Sequence, residues 1–180
     1  TNPEFPNPPR NTFINNVGNP QIQFCLASID PSGNPTTGIT RTATSNSEWD
    51  YDTQSNDMKQ ASTGGIDNWD PLRYLNIWIC KIGSSGGGQT LGYAYLPGLQ
   101  GGNQSWKDGI VVDYRFFGTV GNSSNSSDGR TTTHEVGHYL GLSHTFCESS
   151  GCCDNDLNGN YSWGDVDDTP ATEDIYFGSV

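Results

Sequence analysis

The chain predicts a mixed α/β fold. Two runs rich in β-branched and aromatic residues, 74–82 (YLNIWICKI) and 110–117 (IVVDYRFF), have the length of buried strands, and the run 134–144 (HEVGHYLGLSH) has the spacing of a helix. Taken with the weaker signals upstream, the order is strands, helix, strands, helix, which suits one sheet packed against helices. The 180 residues are enough for a single domain with a core of its own.

The opening to about residue 19 is rich in Pro and Asn and reads as an extended arm. Residues 21–29, QIQFCLASI, alternate over a short range and read as a strand, which the turn DPSG at 30–33 closes. A second, Thr-rich strand is expected over 39–44. Residues 55–63, SNDMKQAST, combine an N-cap candidate with good helix formers, and Gly64 and Gly65 stop the helix. The most apolar run, 74–82, is the natural central strand, and GSSGGGQT at 83–90 is a loop. LGYAYLP, 91–97, ends in proline and so fits a sheet edge, where a missing N–H costs no ladder bond. After the strand at 110–117, a Ser- and Asn-rich loop from Gly121 to Gly129 leads into the last helix.

The run 134–144 contains all three histidines of the chain. His134 and His138 are four apart, on one helical face, so two imidazoles can hold one ion between them. Glu135 is next round the helix, beside an open coordination position, where a general base belongs. On a continuous helix His144 would point away from that ion. Gly141 adopts a left-handed conformation without steric cost, so the helix can end there and the chain can turn His144 back under the metal. Three neutral imidazoles plus a water describe a catalytic zinc site, because a structural site closes its fourth position with a protein ligand.

The stretch GRTTTHEVGHYLGLSHTF, followed by GDVDDTP, resembles the pappalysin family of metzincin zinc endopeptidases. The resemblance implies the upper lobe of that fold: a twisted, mostly parallel sheet with an antiparallel edge strand, a backing helix and the zinc helix. It implies hydrolysis of protein or peptide bonds through a zinc-bound water, with His134, His138 and His144 as ligands and Glu135 as general base. It also gives the edge strand a role. Gly92, Tyr93, Ala94 and Tyr95 would bind the substrate in extended form, since a sheet edge offers unpaired N–H and C=O groups to a peptide. In the family, preference for Arg or Lys after the cleaved bond is common.

An acidic stretch follows the histidines. Asp154, Asp156, Asn158, Gly159 and Asp165 fall at positions 1, 3, 5, 6 and 12 of a calcium-loop pattern, with Asp165 in place of the bidentate Glu. The resemblance also implies calcium in this neighbourhood, close to residues 165–169, so Asp167, Asp168 and Thr169 are the substitutes if the register differs. The methionine turn and the tyrosine that the family carries after its third histidine have no counterpart here. Met58 is the only methionine, and neither Tyr161 nor Tyr176 takes that tyrosine's place. The expected organisation is one catalytic domain: an arm at 1–19, an upper lobe at 20–141 ending in the zinc helix, and the start of a truncated lower lobe at 142–180.

Charge and cysteines bound the setting. With 8 basic and 20 acidic residues, net −12, nucleic acid and anionic membranes are disfavoured as partners, while cations and basic substrates are suited. No apolar run is long enough for a membrane span, and TNPEFPNPPR is not a signal peptide, so the chain reads as a mature, secreted form. Four glycosylation-type motifs, at Asn103, Asn122, Asn125 and Asn160, are at chance level in so Asn- and Ser-rich a chain. Five cysteines leave at least one thiol unmatched, and adjacent Cys152 and Cys153 are poor partners for each other. Two rival expectations follow. In one, the chain is a metal-stabilised peptide-binding module, weak or inactive in catalysis. In the other, a separate lower-lobe fragment is held by disulfides from Cys147, Cys152 or Cys153.

Overall fold

A computed structural model of the chain describes residues 21–97, 102–123, 127, 129–142 and 144. The N-terminal arm, Cys147, Cys152, Cys153 and every proposed calcium ligand from Asp154 to Thr169 lie outside the described residues.

The sheet is built from short strands. Three of them, β2 (Ile77–Cys80), β4 (Gly92–Ala94) and β5 (Ile110–Asp113), form one sheet in the order β2-β5-β4. The β2–β5 pair is parallel, with Ile77 opposite Ile110, and β4–β5 is antiparallel, with Gly92 opposite Val112. Beyond Lys81 the second run resumes as β3 (Ile82–Gly83), which pairs in parallel with β1 (Trp49–Asp50). The expected mostly parallel sheet with an antiparallel edge strand is therefore what forms. The run 74–82 is not its centre, however. Among the described residues β2 has one neighbour, and β5, all four of whose residues are buried, is the strand flanked on both sides.

Side chains opposite one another share a face, so the register divides the sheet in two. One face carries Trp78, Val111 and Tyr93, and with Trp49, Met58 and Ile82 it makes the core. The other carries Ile110, Val112 and Gly92 and receives helix α2 (Arg130–Tyr139), which packs on β4 and β5. Asp113 ends β5. Its carboxylate accepts from Arg115 N, and the chain turns into a 3₁₀ segment, Tyr114–Phe116, so the strand expected to reach residue 117 stops four residues earlier.

Three upstream expectations are corrected. Residues 21–29 are irregular, with Ile22, Phe24 and Leu26 exposed, and their one ladder contact is a bridge between Ile29 and Pro35. Their alternation finds no partner strand among the described residues, and β-propensity without a partner does not hold an extended segment in a sheet. The turn at 30–33 does form, with Gly33 N donating to Asp30 O. Residues 39–44 are likewise irregular. No continuous helix forms at 55–63: that span holds 3₁₀ turns at Asp57–Lys59 and Ala61–Thr63, and a single α-helical turn, α1 (Tyr51–Gln54), precedes it. Asp50 caps Thr53 N and starts the helix earlier, while Gln60, extended at φ −135° and ψ 132°, interrupts it. Gly64 ends the last turn at φ +93°, as its position in the sequence suggests. Among the described residues no helix is long and apolar enough to cross a membrane.

Candidate metal centre and active site

Helix α2 supplies two of the three imidazoles, and its C-terminus supplies the third. Gly141 has φ +98°, its N–H donates to the His138 carbonyl at 2.9 Å, and Leu142 N donates to the Gly137 carbonyl at 2.9 Å. This double bond across a left-handed residue is the Schellman arrangement, which needs glycine and reverses the chain within two residues. His144 follows at once and meets the other two rings.

The Nε2 atoms of His134, His138 and His144 lie 3.0–3.1 Å apart. His138 Nδ1 is 2.7 Å from the Leu142 carbonyl oxygen, which can only accept. The proton therefore sits on Nδ1, and His138 Nε2 presents a lone pair to the centre. Burial, followed by the two neighbouring rings, lowers the pKa of His134 and favours its neutral, ligand-ready form. A tetrahedral metal held at about 2.0–2.1 Å by each ring would set the nitrogens roughly 3.3 Å apart. The three donors fit such an ion with shifts of a few tenths of an ångström.

Glu135, next to His134 on the helix, lies in the seam between α2 and β4, with its Cγ close to Gly92. It is buried, and burial raises its carboxyl to about 7. A cation held by the adjacent histidines would draw that value down and favour the carboxylate. Beside it an open cleft of about 490 Å³ runs between the start of β4 and the first turns of α2, with Leu91, Gly92, Arg130, Thr131, His134 and Glu135 along its walls. Gly92 makes the close approach possible, since a β-carbon there would stand 3.1 Å from both Glu135 Cγ and Thr131 Cγ2.

The structure thus brings together His134, His138, His144, Glu135 and Gly92. Of the proposed substrate-binding residues, Gly92, Tyr93 and Ala94 form β4, and Tyr95 follows it. The two tyrosines do not face the cleft. Tyr93 packs against the core on the opposite face and donates to the Ser55 carbonyl at 2.6 Å, and the Tyr95 hydroxyl accepts from Asn56 Nδ2 at 2.8 Å. Sequence reasoning missed Arg130 and Thr131 as walls of the cleft and Leu142 as the carbonyl that orients His138. The spacing of the carbonyl was available: it lies four residues beyond the ring it holds, once the helix is known to end at Gly141.

Comparison with known proteins identifies the family and the fold. Mature mirolysin of Tannerella forsythia in complex with a cleaved peptide superposes with a TM-score of 0.69 and 41% identity, over 79% of this chain and 50% of that one. Extracellular metalloproteases of Arthroderma otae and Sordaria macrospora are 33% and 35% identical over 149 and 162 residues, which is 79% and 89% of this chain. The chain spans about half the length of these relatives, 51% and 49% respectively. The M43 peptidase model described as pregnancy-associated plasma protein-A matches residues 52–178. The chain belongs to this pregnancy-associated plasma protein-A family of M43 metalloproteases.

Proposed function

We propose that the chain is a secreted zinc endopeptidase, with His134, His138 and His144 as zinc ligands and Glu135 as general base. The observation that carries this reading is the convergence of three Nε2 atoms within 3.1 Å of one another, next to a buried carboxylate and an open sheet edge. Zinc, when bound, supplies a Lewis acid that acidifies a water and polarises the scissile carbonyl. A peptide pairs with the edge of β4 and is thereby held in line along the cleft. Glu135, whose side chain lies against Gly92, takes the proton of the attacking water and later passes it to the leaving amine. His138 keeps its ring orientation throughout by donating to Leu142. Secretion is supported by the extracellular relatives, and calcium at Asp154 to Thr169 by the donor spacing in the sequence.

A peptide-library digest with parallel determination of zinc tests the reading. Cleavage by the chain, lost in Glu135→Gln with zinc retained, is the expected result. Cleavage by both would remove Glu135 from the role of base. Zinc without cleavage in either would leave a metal-stabilised peptide-binding module as the better description.

A further inference from the structure

Lys59 is the most unusual side chain away from the metal centre. It is 1% exposed, with Asp108 the carboxylate whose charge acts on it. Its Nζ donates to the Lys107 carbonyl at 2.6 Å and lies over three rings, at 4.9 Å from the centroid of Tyr95, 5.2 Å from Trp78 and 5.7 Å from Tyr93. A lysine is seldom buried in this way, because desolvation of its ammonium is costly, and stacking over aromatic faces offsets only part of that cost.

The two tyrosines in this cage are those of the edge strand. Their hydroxyls are tied to the segment that carries Lys59, Tyr93 to the Ser55 carbonyl and Tyr95 to Asn56 Nδ2. β4 is therefore gripped from both sides. Gly92 abuts Glu135 and Thr131 on the α2 face, and Tyr93 and Tyr95 are locked on the other. Among the described residues β4, three residues long, has one neighbour, and so has little hydrogen bonding of its own to fix its position.

We infer that Lys59 is a positioning residue for substrate: by clamping Tyr93 and Tyr95 it sets the height and tilt of the β4 edge on which an extended peptide would pair. The inference rests on the endopeptidase reading for the identity of the ligand, but the clamp itself is a property of peptide binding. An amine and an ammonium alike donate to the Lys107 carbonyl, so the tie persists in either protonation state.

The test separates binding along the strand from chemistry at the metal. Lys59→Met keeps the length of the stem and removes the donor; Tyr95→Phe removes the tie to Asn56 and leaves the ring. For an octapeptide taken from the wild-type digest, each variant should raise KM, roughly tenfold for Lys59→Met, with kcat within twofold and zinc content unchanged. A blocked dipeptide amide, too short to pair along β4, should be cleaved as by the wild type. Equal losses on both substrates, or no change on either, would overturn the inference. Should Lys59→Met fail to fold, Tyr95→Phe decides alone on the same criteria. If the wild type cleaves nothing, the affinity of a fluorescein-labelled casein octapeptide for Glu135→Gln, with and without Lys59→Met, decides instead: a tenfold loss upholds the clamp while the endopeptidase reading falls, and equal affinity overturns it.

Discussion

Gly92 and Glu135 meet across the seam between β4 and α2, so closely that a β-carbon at position 92 would stand 3.1 Å from the glutamate Cγ and 3.0 Å from the Val111 carbonyl oxygen. The carbonyl belongs to the buried central strand and cannot yield, so the strain of Gly92→Ala falls on the Glu135 side chain or on β4. In the proposed role of Glu135 as base, a displacement of a few tenths of an ångström is costly to rate. The expected outcome is a fall of roughly tenfold in kcat/KM with zinc retained. Unchanged kcat/KM would show that Glu135 is not held through this contact.

The site was more legible than the scaffold. The histidine motif is local: a four-residue spacing, a glycine and a third histidine are all within eleven positions, and each acts through backbone geometry that neighbouring residues decide. The edge position of β4 was equally readable from Pro97. The strands at 21–29 and 39–44 were misjudged because pairing depends on partners that a local pattern does not contain. Lys59 was hidden for the opposite reason. Within SNDMKQAST it looks like the solvent face of a helix, and only the fold reveals that Gln60 breaks the helix and Trp78, Tyr93 and Tyr95 close round the amine.

Gly141 turns His144 into the metal centre, and its cost can be isolated. Among the described residues a β-carbon there would meet only Pro97, at an ordinary 3.8 Å, so Gly141→Ala acts through the backbone at φ +98° rather than through crowding. Left-handed backbone costs a non-glycine residue about 1–2 kcal/mol. If the turn relaxes, His144 withdraws. Zinc affinity should fall by roughly five- to thirtyfold, read by chelator competition, with the far-UV circular dichroism of the metal-free chain little altered. An affinity equal to the wild type would mean that the third ligand does not depend on this turn.

Asp113 is expected to be the most sensitive polar residue of the core. Its carboxylate is fully buried and accepts from Ile82 N at 2.9 Å, from Arg115 N and Nε at 2.9 Å, and from an Arg115 terminal nitrogen at 2.6 Å. Burial alone would raise its pKa, but the Arg115 guanidinium and the two backbone N–H groups outweigh it and hold the carboxyl below its ordinary 3.8. Asp113→Ala leaves Ile82 N without its acceptor where β3 begins. It should cost about 2–3 kcal/mol in urea unfolding, most of it retained in Asp113→Ala/Arg115→Ala because the orphaned N–H remains. A loss below roughly 0.5 kcal/mol, the range of an ordinary surface substitution, would remove Asp113 from this role.

The pH dependence of stability should report Lys59 directly. Desolvation lowers its pKa from 10.5 to about 7, against the attraction of Asp108, with Lys107 adding to the lowering. Between those two values the unfolded chain holds a proton that the folded chain has lost, so stability rises with pH, by up to about 1.4 kcal/mol per unit. Cys80 has the opposite sign. Burial raises its thiol from 9.0 to about 12, so above pH 9 the folded chain keeps a proton that the unfolded chain gives up, and stability falls. Tyr93, raised by burial above its ordinary 10.0, adds to the fall at higher pH. Stability should therefore climb from pH 7 to about 9, level off while the lysine and the thiol oppose each other, and decline beyond about 10.5. Metal binding also varies with pH, and so the quantity to measure is the difference in urea-unfolding free energy between the chain and Lys59→Met. That difference should move toward the wild type by about 2–3 kcal/mol between pH 7 and 9. A difference constant over this range would mean that Lys59 carries its charge in the folded chain, held by the three rings and the Lys107 carbonyl.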